Sequence, residues 1–305
     1  MYDCIIIGAG TAGLTASIYL RRASKNVLVL EAKTYGGQII NTLSIENYPT
    51  QTNISGFEFA DKLYNQAKDL GAEIIFEKAV DIKNFDDYKE VITNKNTYKT
   101  KTIIIASGSD NRKLGLEGED KLIGKGISYC ATCDGAFYKN KIVSVVGGGN
   151  TAVDDALYLT DIASKVYLIH RKNEFKAEEI TLNELKNRKN VEFILNSNII
   201  KLNEENDKLK NIVIVDNNGE EKTIETDALF VAVGRIPENQ NFAKLIDLDN
   251  NGYIIANEDC NTNVKGIFAA GDSRTKKVVR QLVTAASDGA IAASEAIKYI
   301  NSNSR

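Results

Sequence analysis

The segment Ile127–Tyr138, ISYCATCDGAFY, sets Cys130 and Cys133 two residues apart, with Asp134 immediately behind them. A C-x-x-C pair serves as half of a metal site, as a structural staple, or as a dithiol that exchanges electrons. Counting ligands bears on the first use. A structural zinc needs four, usually from two pairs, and the chain offers beyond this pair only Cys4, Cys260 and His170, none of them in a second C-x-x-C. No metal is expected. Cys4 falls inside an apolar run and reads as a small buried hydrophobe, whereas Cys260 falls in a polar, loop-like segment and reads as incidental. Four cysteines in 305 residues are too few for a disulfide scaffold. A redox dithiol remains, in which one thiol has a depressed pKa and the other resolves the mixed disulfide. Asp134 reads two ways: as a proton donor or acceptor beside the leaving thiol, or as the first residue of an Asp-Gly turn.

Two glycine-rich turns are the next residues with chemistry in them. Strand-like DCIII (3–7) runs into Gly8–Gly13, GAGTAG, then into helix-like LTASIYLRRAS and strand-like NVLVLE, which ends at Glu31. In such a turn Gly8 permits the tight bend, Gly10 lets backbone approach a pyrophosphate, and Gly13 lets helix and strand pack closely; Glu31 then faces an adenosine ribose. The same grammar returns at Ile142–Val146, followed by Gly147, Gly148 and Gly149, Ala152 in the third small position, and KVYLIH ending at His170. Glu31 stands 23 residues beyond Gly8, and the residue 23 beyond Gly147 is His170, followed by Arg171, Lys172 and, further on, Lys176. A carboxylate repels a 2′-phosphate and these cations attract one. The first site therefore suits FAD and the second NADPH. His170, the only histidine, reads as the filler at a strand end, not as a catalytic base. GIFAAGD puts Asp272 after Gly271, either near a flavin's ribityl chain or at the start of an ordinary loop.

These turns need a scaffold, and the pattern names one. Each half has a later apolar strand running into glycine, TIIIASG (102–108) and DALFVAVG (227–234). Strand, glycine turn, helix and strand, found twice, predict an α/β fold with two Rossmann-like nucleotide-binding domains. Polar stretches near 109–120 and 236–243 are the expected crossings, and LVTAASDGAIAASEAIKYI is a helix-like tail. Hydrophobic residues make up 43% and charged residues 26%, as in an ordinary soluble protein, and the net charge of −3 gives no field that would gather nucleic acid or an anionic membrane. No apolar run approaches the roughly 18 residues of a membrane span, and MYDCIIIGAG has no basic leader, so a cytoplasmic location is expected.

The motifs together resemble one family. SYCATCDGAFY just before GGGNTAVDDALYL, with HRKNEFK, GIFAAGD and RQLVTAASDGA in their places, is similar along essentially the whole chain to the bacterial low-molecular-weight thioredoxin reductases. The resemblance implies a homodimeric flavoprotein. Its discontinuous FAD domain would span 1–113 and 241–305, with an NADPH domain over 114–240 inserted in it. Electrons would pass from NADPH through FAD to the Cys130–Cys133 disulfide and then, by dithiol exchange, to thioredoxin. In this scheme Cys133 faces the flavin, Cys130 attacks thioredoxin and Asp134 donates the proton. The FAD site would draw on Gly8, Gly10, Thr11, Ala12 and Gly13, on Glu31, Gly37, Gln38 and Asn47, and on Ala106, Gly108, Gly271 and Asp272, with Arg280 and Gln281 near the isoalloxazine. The NADPH site would draw on Gly147, Gly149, Asn150, Thr151 and Ala152, on His170, Arg171, Lys172 and Lys176, and on Gly234 and Arg235.

Four positions depart from the family pattern. Lys172 and Lys176 stand where arginine is usual, giving charge without the planar bidentate fork. Thr11 replaces a proline, and Ala136 replaces one of two phenylalanines, leaving Phe137 and Tyr138 either to dock a protein partner or to pack in the core. A ferredoxin-driven flavin thioredoxin reductase shares the cysteines but lacks the nucleotide motif that GGGNTA and HRK supply. The reductase partner of a peroxiredoxin usually carries an extra N-terminal dithiol module, whereas Met1 leads straight into the first turn. A flavin ferredoxin–NADP reductase needs no cysteine pair. A non-enzymatic redox sensor would need a dedicated interaction surface. A dithiol that must meet both a flavin and a bulky protein implies a rotation between the domains.

Overall fold

Runs such as Cys4–Ile7 and Val27–Leu30 have no polar side on which to meet water, so both faces of the strands they form must be covered. Both are buried at every residue, in β1 (Tyr2–Ile7) and β2 (Val27–Leu30), with α1 (Thr11–Arg22) between them. The computed structural model describes residues 1–42, 44–51, 53–275 and 279–303. The chain divides into two compact units, one of residues 1–40, 45–110 and 236–305, the other of residues 41–44 and 111–235.

In the first unit α2 (Gly56–Asp69) leads to β3 (Glu73–Ile75), and β4 (Ala79–Asn84), β5 (Lys89–Thr93) and β6 (Thr97–Ile105) follow. The strand order is β3-β2-β1-β6-β5-β4, parallel from β3 to β6 and antiparallel beyond. The chain crosses at β7 (Ser109–Asn111) and continues through α3 (Glu119–Leu122), β8 (Ile127–Ser128), α4 (Ala131–Asp134), β9 (Ile142–Val146), α5 (Asn150–Thr160), β10 (Lys165–Ile169), α6 (Glu179–Lys186) and β11 (Val191–Ile194). A separate antiparallel sheet of β12 (Ser197–Glu205), β13 (Lys208–Asp216) and β14 (Glu221–Glu225) comes next, then β15 (Ala228–Val231). The main sheet of this unit, β11-β10-β9-β15-β8, is parallel throughout. The return crossing is β16 (Arg235–Pro237), which pairs with β7. Back in the first unit, β17 (Ile267–Ala269) joins the carboxyl half of β6, and α7 (Leu282–Ser302) follows.

The repeat read from the glycines is therefore present in both units, and it extends further than the glycines reach. In each unit the sheet runs third strand, second strand, first strand, late strand, and then one short edge strand parallel to the late one: β17 in the first unit, β8 in the second. Those two strands lead into GIFAAGD and ISYCATCD respectively. The helix after the first turn begins at Thr11, three residues before the expected apolar stretch, because the residues of the turn themselves form its first turn. The antiparallel strands and α2 lie outside the glycine repeat and carry no signature of it. Cys260 departs from its reading as an incidental loop residue: its side chain is fully buried in the core that gathers β1, α1 and α7.

The same core holds an ion pair that the sequence reading did not include. Asp288, on the buried face of α7, accepts from Arg274 Nε at 2.8 Å and Nη2 at 2.9 Å, and from the Gly271 backbone N–H at 2.9 Å. Arg274 and Asp288 are 4% and 2% exposed, so neither charge has water to fall back on. The pair holds the Gly271–Asp272 turn against α7. Removing one partner of a buried bidentate pair strands the other charge and costs about 3–5 kcal/mol. Arg274→Met is expected to lower the thermal midpoint sharply. The double variant Arg274→Met/Asp288→Asn, which strands no charge and keeps an acceptor for Gly271, is expected to recover most of it. Calorimetric scans of the three proteins decide the matter; a double variant no more stable than the single one would contradict the account.

Candidate active site

In the first unit the residues of the glycine turn meet as the fingerprint requires. Gly8 has φ +108, and a Cβ there would lie 2.3 Å from the Ala106 carbonyl oxygen at the end of β6. No side chain caps α1, whose N-cap is Gly10. The first N–H groups of this 12-residue helix, at Thr11, Ala12 and Gly13, are therefore not spent on a capping side chain, and they are the donor set that a pyrophosphate takes. Gly37 lies against Gly10, and a Cβ on it would be 3.6 Å from the Gly10 Cα. Glu31, at the end of β2, accepts from the backbone N–H of Ala9 and of Lys33, each at 2.8 Å, and each carboxylate oxygen keeps a lone pair for a ribose hydroxyl. These residues fit a flavin dinucleotide.

The remaining predicted flavin residues form a second group. Asn47 donates to Gln281 Oε1 at 3.1 Å, and Gln281 caps α7 in a capping box with Thr284. Arg280 donates to the Asp272 carbonyl at 2.7 Å and lies over the Tyr253 ring at 4.3 Å. Gln38 is drawn elsewhere, to Asp110 at 2.6 Å. Asp110 also pairs with Lys33, which reaches Glu238 as well. Gly108 adopts φ +69 just before β7.

The second unit repeats the turn with different chemistry around it. A Cβ on Gly147 would lie 2.4 Å from the Ala232 carbonyl oxygen, the counterpart of Gly8 and Ala106. The N-terminus of α5 at Asn150, Thr151 and Ala152 is again uncapped. Asn150 Oδ1 accepts from the Glu178 N–H at 2.9 Å, and Lys176 N–H donates to the Gly148 carbonyl at 2.7 Å, so the basic loop folds back onto the turn. His170 lies flat on Gly148, where a Cβ would come within 1.9 Å of the ring, and stacks on Phe175 at 5.2 Å. Burial, and then Arg171 and Lys172, hold the imidazole below its ordinary pKa, so it is neutral at pH 7. Its work is packing. Arg171, Lys172 and Lys176 are exposed, and among the described residues no carboxylate pairs with them, whereas Lys33 in the corresponding stretch of the first unit is matched by two. An unneutralised basic rim of this kind fits a 2′-phosphate. Gly234 adopts φ +109 just before Arg235, whose charge reaches Asp155 on α5.

Cys130 and Cys133 are joined as a disulfide at the carboxyl end of β8, with Cys133 in the short α4. The Cys130 carbonyl accepts from the N–H groups of Cys133 and Asp134, closing the turn that carries both sulfurs. Asp134 is the last residue of that turn, and burial raises its carboxyl above the ordinary carboxylate range while a hydrogen bond from Ser128 opposes the rise. Asp134 therefore ends this turn and is an acid of raised pKa next in sequence to Cys133. Tyr138 packs inward, edge-on to Phe230, while Phe137 stays 46% exposed. Sequence reasoning missed Ser128 and Asp155. Asp155 is signalled only as the second carboxylate of an Asp-Asp pair within α5.

The family model described as pyridine nucleotide-disulphide oxidoreductase matches residues 2–290. A thioredoxin reductase of Bacillus subtilis (strain 168) is 42% identical over 301 residues, covering 98% of this chain and 95% of that protein. A solved thioredoxin reductase from Streptococcus pyogenes MGAS5005 matches with TM-score 0.93 at 39% identity, covering 99% of each chain. One from Lactococcus lactis, described as in the FR conformation, matches with TM-score 0.70 at 38% identity, covering 99% of this chain and 100% of that one.

Asp155 yields a prediction independent of the chemistry. Burial pushes its carboxyl from the ordinary 3.8 up to about 7, the charge of Asp154 adds to this, and Arg235 opposes it. An acid whose pKa is raised by folding holds its proton more tightly when folded, so its ionisation weakens the fold as pH climbs through that window. Asp155→Asn is therefore expected to raise the thermal midpoint at about pH 8 and to leave it little changed near pH 4. Midpoints that move equally at both ends would show that the carboxyl is not strained in the fold.

Proposed function

The chain belongs to the pyridine nucleotide-disulphide oxidoreductase family, and on that premise we propose that it is a thioredoxin reductase of the low-molecular-weight class, using FAD and NADPH. One observation carries the reading. Two nucleotide-binding units of the same strand order stand in one chain, and the position that holds Gly271–Asp272 in the first is occupied by the Cys130–Cys133 disulfide in the second. The first unit serves as the flavin domain and the second as the NADPH domain, with the residue roles set out above. When bound, the two cofactors would supply hydride-transfer chemistry and, from it, the electron pair that reduces the disulfide.

The chain's own residues do the rest. Glu31 and the α1 N-terminus bind and orient one dinucleotide; Arg171, Lys172, Lys176 and the α5 N-terminus bind the other. Reduction of the Cys130–Cys133 bond takes two electrons and two protons and leaves two thiols. Cys130, as thiolate, attacks the thioredoxin disulfide; one S–S bond forms as another breaks, and Asp134 gives the departing sulfur its proton. Cys133 then attacks Cys130, restores the disulfide and releases reduced thioredoxin. Phe137 offers an exposed apolar contact to that protein. Rotation between the units lets one dithiol serve both partners. The resemblance further supports a homodimer working in the cytoplasm, and among the described residues no helix is long and apolar enough to cross a membrane.

Anaerobic titration of the purified flavoprotein tests the assignment. NADPH is expected to bleach the flavin absorbance, NADH to do so only at much higher concentration, and oxidised thioredoxin to restore the colour. Bleaching by reduced ferredoxin and not by NADPH would transfer the protein to the ferredoxin-driven class. Replacing Arg171, Lys172 and Lys176 together with alanine is expected to raise KM for NADPH by about 100-fold and to leave that for NADH nearly unchanged, since three charge-assisted contacts to phosphate are lost. Equal losses with both nucleotides would remove the 2′-phosphate from the rim.

A further inference from the structure

Ser128 ends β8, one residue before Cys130's neighbour Tyr129, and is 4% exposed. Three polar atoms surround its Oγ: Asp134 Oδ2 at 2.6 Å, the Cys130 N–H donor at 3.1 Å, and the Cys130 carbonyl oxygen at 3.3 Å. A hydroxyl has one proton to give and two lone pairs to receive with. One lone pair takes the Cys130 N–H. The single proton can go to Asp134 or to the Cys130 carbonyl, not to both. At 2.6 Å the Asp134 contact has the length of an O–H···O⁻ bond, while 3.3 Å to the carbonyl is long for a hydroxyl donor.

We propose that Ser128 is the positioning residue for Asp134, giving its proton to the carboxylate when Asp134 is ionised and turning it to the Cys130 carbonyl when Asp134 is protonated. This rests on the reading of Asp134 as the proton donor in dithiol exchange. Protonated Asp134 becomes a donor itself, its O–H directed at the free lone pair of Ser128 Oγ, and the hydroxyl proton then has only the carbonyl to face. That carbonyl is the one that already accepts from Cys133 and Asp134 and closes the turn carrying both sulfurs. The proton state of the acid is thereby transmitted to the peptide of the attacking cysteine. In the exchange itself the departing thiolate takes the proton from Asp134; a thiol and a carboxylate result, and the Ser128 hydroxyl swings back to the new carboxylate.

Among the described residues Ser128 is the only hydrogen-bond donor to the Asp134 carboxyl. The other titratable groups nearby are Tyr138, whose phenol is held protonated by burial and by the charges of Asp134 and Asp227, and Tyr158 on the packed α5. Asp154 and Asp155 lie on α5 too, but burial governs the titration of both, with Glu178 adding to the rise of Asp154, and Asp154 adding to and Arg235 opposing that of Asp155. Removing Ser128 takes a charge-assisted O–H···O⁻ bond from the ionised form and only a weaker neutral O–H···O bond from the protonated one, so Asp134 must hold its proton to higher pH.

The test is the pH profile of kcat/KM for oxidised thioredoxin, measured on the intact flavoenzyme for the wild type, Ser128→Ala, Ser128→Thr, Ser128→Cys and Asp134→Asn, with flavin content checked for each. In the wild type the rate falls on the alkaline side as Asp134 loses its proton. Ser128→Ala is expected to move that limb upward by about one pH unit, a tenfold change in the acid constant, and Ser128→Thr to restore it. Ser128→Cys, a weaker donor of similar size, lies between and carries the test if the alanine variant does not fold. The pH dependence of iodoacetamide alkylation of the dithiothreitol-reduced enzyme gives a second reading of the same shift. A lower rate at every pH with the limb unmoved in both Ser128→Ala and Ser128→Cys would overturn the proposal. A limb that survives in Asp134→Asn would instead remove Asp134 from the reaction, and Ser128's role with it.

Discussion

A strand can open directly onto a helix N-terminus only if nothing projects from the turn between them, and most of this molecule depends on that condition being met twice. A single Cβ on Gly8 would come within 2.3 Å of the Ala106 carbonyl, and one on Gly147 within 2.4 Å of the Ala232 carbonyl. In each case the glycine lets the end of the first strand lie against the end of the late strand, leaving the helix behind it uncapped. The carboxyl edge of the sheet then presents backbone N–H donors and almost no side-chain bulk, which is what a pyrophosphate needs. Everything that distinguishes the two units is arranged around this shared bare edge.

Charge makes the first distinction. Glu31 ends β2, and nearby Lys33 is absorbed by Asp110 and Glu238. His170 ends β10 as a neutral ring flat on Gly148, and the cations that follow it stay unmatched among the described residues. One edge therefore suits ribose hydroxyls and the other an added phosphate. The edge strands make the second distinction. After β17 the chain turns at Gly271–Asp272, held by the buried Arg274–Asp288 pair; after β8 it turns through Cys130 and Cys133, held by Ser128 and the Cys130 carbonyl. The turn after the edge strand is Gly271–Asp272 in one unit and the Cys130–Cys133 disulfide in the other.

Much of this was legible beforehand, for a physical reason. Glycine turns, uniformly apolar strands and the acid or base at the end of the second strand act over a few residues, so spacing alone exposes them. The parallel edge strands were not legible as equivalents, since β17 comes late in its unit and β8 comes early, and strand pairing is set by the sheet. The antiparallel strands β4, β5 and β12–β14 alternate polar and apolar residues without any glycine landmark. Cys260 shows the same limit: a polar neighbourhood in sequence gave no sign of a fully buried thiol in space.

The sequence by itself determined that two dinucleotide-type glycine turns and one C-x-x-C pair share the chain, that a carboxylate follows one turn and cations the other, and that too few further cysteines and histidines remain to make a second ligand pair. Those conclusions rest on local chemistry: a Cβ that cannot be present, a carboxylate exchanged for cations, too few ligands. Tertiary structure decided what surrounds the chemistry. It buried Arg274 with Asp288 behind the Gly271 turn, raised the carboxyls of Asp134 and Asp155 by taking water away, and brought the Ser128 hydroxyl within 2.6 Å of Asp134. Desolvation and hydrogen-bond choice depend on which side chains meet once the sheets have formed, and no spacing along a chain records that.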